Sequence, residues 1–110
     1  MSGSETKVCV VLITAPDGDT AAGLGRTLVE ERLAACVNVL PGVRSMYRWK
    51  GSVRDDAETL LLVKTRSDRM VELAARVREL HPYDVPEVLA LPAVGGSEEY
   101  LDWVRSESSP

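Results

Sequence analysis

One histidine, His81, is all the imidazole in this 110-residue chain. With no second histidine, the paired-histidine zinc-hydrolase pattern is excluded. The two cysteines, Cys9 and Cys36, have no CxxC spacing. Both lie inside apolar runs, so free core thiols in a reducing compartment are expected rather than a disulfide. No Gly-rich phosphate loop is present, and Ser45 has no evident histidine partner, so no catalytic constellation emerges. Basic residues are scattered without a polybasic run. The formal net charge of -4 and the pI of about 5.0 argue against a nucleic-acid binder. The longest apolar run, Val8 to Ile13, is far too short to span a bilayer. The polar opening Met1 to Lys7 lacks a signal-peptide core. Residues 1–6 read as a disordered tail, and the expected location is the cytoplasm. No internal repeat or linker is visible, and low complexity is confined to the Ser-rich end.

What is present is an ordinary single-domain composition, 45% apolar and 27% charged. The whole of 1–110 is expected to share one core. Lys7 to Ala15 is β-branched and apolar on both faces, as a central strand should be. Pro16 to Asp19 is a turn, with Asp19 available to cap a helix over Thr20 to Ala34. Ala21, Ala22, Leu24, Gly25, Leu28, Val29 and Leu33 fill one half of that helical wheel. Arg32 falls in the middle of the apolar half, where a charge needs a partner or a subunit boundary. Cys36 to Trp49 is extended, with a bulge or bend at Pro41-Gly42. Lys50-Gly51 turns the chain into a second long strand, Ser52 to Thr65.

Ser67 or Asp68 is expected to cap a helix over Arg69 to Leu80, with Met70, Val71, Leu73, Ala74, Ala75, Val77 and Leu80 facing inward. Pro82 ends that helix, because proline disfavours helix in the residue before it. Pro86 is then expected to open a fourth strand running to Val94. Gly95-Gly96 turns the chain, and Ser97 caps a short C-terminal helix carrying Tyr100, Leu101, Trp103 and Val104. The order β-α-β-β-α-β plus a short helix predicts an α+β, ferredoxin-like fold with an antiparallel sheet and two helices on one face.

One length decides more than any motif. A strand of about 14 residues spans roughly 45 Å, whereas a compact chain of this size has a radius of gyration of about 13 Å. The hairpin over 36–65 must therefore bend, overhang, or pair with another subunit. An overhang carrying Val43, Met46, Tyr47 and Trp49 would be an aggregation hazard alone. Oligomerisation through the hairpin and the segment around Trp103 is expected.

The segments Thr14-Ala-Pro-Asp17, Arg32-Leu-Ala-Ala-Cys-Val-Asn38, Pro41-Gly42 and Ser45-Met-Tyr-Arg-Trp-Lys-Gly51 resemble the CutA family of divalent cation tolerance proteins. Glu58-Thr-Leu-Leu-Leu-Val-Lys-Thr65, His81-Pro-Tyr-Asp-Val-Pro-Glu87 and Tyr100-Leu-Asp-Trp103 continue the resemblance, which covers roughly residues 8 to 104. It implies the ferredoxin-like fold, a tight homotrimer similar to PII signalling proteins, and a link to copper and other divalent cations. Members that look competent for copper carry a cysteine at the position of Ile13 and a His-His pair at Leu80-His81. Only one of those three ligands is present here.

His81 is the candidate metal ligand, although one histidine gives weak affinity. Its plainer role is to meet the last carbonyls and dipole of its helix. Asp17 and Asp19 need only turn and capping roles. The candidate ligand cleft comprises Arg32, Tyr47, Trp49, Glu58, Lys64, Tyr83, Glu87 and Trp103, with Arg32 and Lys64 supplying positive charge. Lys64 and Glu87 sit on strands that need not touch, so the cleft is expected to form between subunits and to hold a small polar ligand. The functional expectation is a homotrimer in the response to divalent metal ions, with weak copper binding and no catalysis. The alternative is a PII-like signalling trimer. Neither reading involves nucleic acid or membrane.

Overall fold

The strand that is apolar on both faces lies inside the sheet, where it needs neighbours on both edges. In the computed structural model, which describes residues 6–110, β1 (Val8–Ala15) runs between β3 (Ser52–Arg66) and β4 (Leu89–Pro92). The edge strand β2 (Cys36–Trp49) completes the order β2-β3-β1-β4, and every pairing is antiparallel. The expected tail lies, apart from Thr6, outside the described residues. Helices α1 (Gly18–Glu30) and α2 (Met70–Leu80) bury Leu24, Leu28, Leu73 and Val77 against Val11, Ile13, Leu61 and Val63. On the opposite sheet face α3 (Glu98–Glu107) covers only one end, where Val104 packs with Val8 and Ala35.

Helix α1 differs from expectation at both ends. Its cap is Asp17, not Asp19: the Asp17 carboxylate accepts the Thr20 N–H at 2.7 Å. Its last residue is Glu30 rather than Ala34. The Leu33 N–H donates back to the Leu28 carbonyl and the Arg32 N–H to that of Val29, which is the Schellman closure. That closure needs a left-handed residue, and Arg32 takes it with φ 61°. Arg32 is therefore off the helix, and its apolar-face placement is corrected. Its guanidinium donates to the Ser106 and Ser109 carbonyls at 2.8 and 3.2 Å, holding the end of α3. A cation at a helix C-terminus meets the negative end of the dipole there.

The hairpin bulges where expected: register shifts between Leu40 and Val43, and Gly42 has φ 82°. Lys50 and Gly51 both take positive φ, the requirement of a two-residue type I′ turn. The molecule measures 50 × 25 × 23 Å, and the excess length is the hairpin, with Met46 and Val53 both 68% exposed.

Three other expectations fail. A 3₁₀ turn over Ser67–Arg69 precedes α2, and neither Ser67 nor Asp68 caps the helix. Val71 and Leu80 point to solvent, because only the Leu73–Val77 stripe reaches the sheet. Pro86 does not open a strand. The chain from Pro82 to Val88 is irregular, and β4 pairs with β1 only from Cys9 to Leu12.

Candidate functional site

The short β4 exposes a problem that His81 solves. Beyond Leu12 nothing from β4 pairs with β1, and the ring of His81 meets the Thr14 carbonyl there at 2.7 Å through Nε2. His81 follows the last residue of α2 and is extended (φ -82°, ψ 139°), as a residue before proline prefers. Its Nδ1 accepts the Tyr83 N–H at 3.1 Å. A neutral imidazole protonated on Nε2 satisfies both contacts. The buried ring thus ties the connector to β1 and does not turn back to its own helix carbonyls. As a metal ligand it has no free nitrogen in this arrangement.

Tyr83, held by that ring at 4.6 Å, donates its hydroxyl to Glu58 Oε2 at 2.7 Å. Glu58 lies on β3, and period-2 alternation puts Asp56 and Arg54 on its face. Tyr47, opposite Arg54 on β2, donates its hydroxyl to Asp56 at 2.5 Å. Arg54 lies 3.9 Å from the same carboxylate, and Arg44 forms a two-point pair with Asp55 at 2.8 and 2.7 Å. Between the hairpin and the connector is a cavity of about 870 Å³.

Of the eight expected cleft residues, Tyr47, Trp49, Glu58, Tyr83 and Glu87 line this cavity within one chain. The other three do not. Arg32 holds α3, and Lys64 bonds Asn38 six residues along β3 from Glu58. Trp103 stacks near Tyr100 on α3. Lys64 and Glu87 do not meet within the chain, as expected of their strands; the expectation places their meeting between subunits. Sequence reasoning missed Arg44, Arg54 and Asp56. Two of them were accessible by counting alternate positions from Glu58.

The electrostatics of the cavity are acidic. Burial, the hydrogen bond to Glu58 and the charge of Glu58 push the Tyr83 hydroxyl well above the usual phenol range. Partial desolvation first, and the charge of Glu58 second, push Glu87 above the usual carboxylate range. The hydrogen bond to Asp56 raises Tyr47 too. Both phenols therefore stay protonated and act as donors. Among the described residues no three His, Cys, Asp or Glu side chains converge to hold a metal ion.

The family model described as "CutA1 divalent ion tolerance protein" matches residues 9–107. The divalent-cation tolerance protein CutA of Thermus thermophilus is 54% identical over 99 residues, covering 90% of this chain and 96% of that protein. Human protein CutA is 45% identical over 98 residues, 89% of this chain, which spans only 55% of the human protein's length. The solved structure of the Thermus thermophilus divalent cation tolerance protein superposes with a TM-score of 0.89, over 91% of this chain and 97% of that one. The crystal structure of CutA1 from Oryza sativa gives 0.90 at 43% identity, over 93% and 94%. On this agreement of sequence and fold, the chain belongs to the CutA1 divalent ion tolerance family.

Proposed function

We propose that this chain is the ferredoxin-like protomer of a cytoplasmic homotrimer that serves in tolerance of divalent metal ions by binding rather than catalysis. The observation that carries the assembly is a sheet face left without cover. Val10, Leu12, Leu60 and Leu62 are only half-buried, and Leu89 and Leu91 are 54% and 46% exposed on the same face. A sheet must bury its apolar face against another layer, and α3 reaches only one end. Copies of the same chain, each bringing the same open face and overhanging hairpin, supply that layer. The names of the relatives supply the metal-ion role. Copper or another divalent cation at His81 would have to displace Thr14 or Tyr83, so such binding is weak. The free Cys9 and Cys36 suit a reducing compartment.

Light scattering on the purified chain at micromolar concentration should give a trimer. Leu91→Glu should shift it toward monomer, because a charge desolvated without a partner is costly. A stable wild-type monomer overturns the reading.

The cavity favours a second reading, PII-like binding of a small polar ligand where subunits meet. Its volume lies in the range of small-molecule sites. Its wall is the far end of the same open sheet face, so a neighbouring subunit would border it.

A further inference from the structure

Glu58 is a carboxylate only 8% exposed, and no cation among the described residues pairs with it. Its one hydrogen-bond partner here is a neutral phenol. Buried carboxylates normally have a positive partner, since desolvating an uncompensated charge is expensive. The cations around the cavity are already spoken for. Arg44 is engaged by both oxygens of Asp55, and Arg54 lies beside Asp56. Lys50 lies over the Trp49 ring. Within the chain, the buried Glu58 and the more exposed Glu87 line the cavity without an ion pair among the described residues, and their charges oppose each other.

We propose that this cavity binds a small organic ammonium ion, its cationic head between Glu58 and Glu87 and its carbon body against Tyr47, Trp49 and Tyr83. The inference rests on the second reading above and names its ligand class. Three features separate an organic cation from a bare metal ion. The cavity, about 870 Å³, is many times larger than an ion needs. Two carboxylates fall short of a metal-holding set. Beyond the contacts of Lys50 with Trp49 and of His81 with Tyr83, the aromatic rings offer apolar area for its carbon atoms.

The test is isothermal titration calorimetry of the full chain with three probes of one shape: benzylammonium, benzyl alcohol and benzoate. Benzylammonium should bind, and the other two should bind at least about tenfold more weakly, the worth of one charge-assisted hydrogen bond. Glu87→Gln and Glu58→Gln keep the shape, and in the latter the amide oxygen can still accept the Tyr83 hydroxyl. Each should weaken benzylammonium about tenfold, while Lys64→Ala should leave it unchanged. Equal binding of all three probes overturns the charge selection and leaves a small-ligand cavity standing. Benzylammonium binding that neither Gln variant weakens overturns the location. No heat with any probe overturns both this proposal and the cavity reading.

Discussion

Replacing His81 with alanine removes a ring that the structure uses twice. The Thr14 carbonyl loses its 2.7 Å partner and the Tyr83 N–H loses its 3.1 Å acceptor. A neutral hydrogen bond contributes about 1 kcal/mol net, and a polar group left buried without a partner costs about 1–3 kcal/mol. Thr14 is buried and Tyr83 half-buried, so the sum is about 3 kcal/mol, with the carbonyl contributing the larger part. In urea, with a slope of about 1.5 kcal/mol per molar, the midpoint should fall by about 2 M. Wild type and variant must be compared at one protein concentration, because assembly couples to stability. The loss should be the same with and without copper, since the ring stabilises by hydrogen bonding and not by ligation. A midpoint shift below about 0.5 M would refute the structural role. So would a loss of stability that appears only when copper is present.

Two further expectations concern pH and the backbone. Asp17, Glu31, Asp55 and Asp68 are held below the usual carboxylate range, Asp17 by the Thr20 N–H and the others by Arg76, Arg44 and Arg66 in turn. Their stabilisation is present above the ordinary carboxylate pKa and is lost as pH falls through the lowered values. Glu87 has the opposite sign: its contribution is present below its ordinary value and lost as pH rises through the raised one. Urea midpoints should therefore drop on acidification, and carboxyl-carbon NMR should find Glu87 titrating above these four. Gly51 has φ 81°, so Gly51→Ala should cost about 1 kcal/mol. Gly23 lies exposed in α1 with nothing within 4 Å of an added Cβ, so Gly23→Ala should gain about 0.5–1 kcal/mol in the same urea assay.

Local signals in the chain are of two kinds, and they were legible to different degrees. Hydrophobic period and turn chemistry act within a few residues, so the element order and a hairpin turn at Lys50-Gly51 could be read from sequence. So could the bulge at Pro41-Gly42. Ends of elements answer to partners far along the chain. Val29 and Leu33 keep a helical period through Ala34, yet α1 stops at Glu30 because Leu33 must fold back onto Leu28 and Ala35 must reach the Lys64 carbonyl on β3. Proline at 86 permits a strand, but pairing needs β1 alongside, and β1 is in register with only Leu89–Pro92.

The same division runs through the candidate site. Sequence alone determined that the Pro82–Pro86 connector would be stiff, that the only histidine would stand at its head, and that the hairpin would outgrow its domain. It also marked Tyr47, Trp49, Glu58, Tyr83 and Glu87 as residues belonging together. Only the tertiary structure decided that a single chain suffices to gather those five, and that within that chain Arg32 and Lys64 bond to Ser106 and Asn38 instead. It also decided that both nitrogens of His81 are occupied. The physical reason is that residue type fixes what a side chain can do, while strand register and helix ends fix what lies within 3 Å of it. Glu58 reads the same in sequence whether an arginine or a tyrosine stands opposite. Folding puts Tyr83 there, and leaves a buried carboxyl group facing an open cavity.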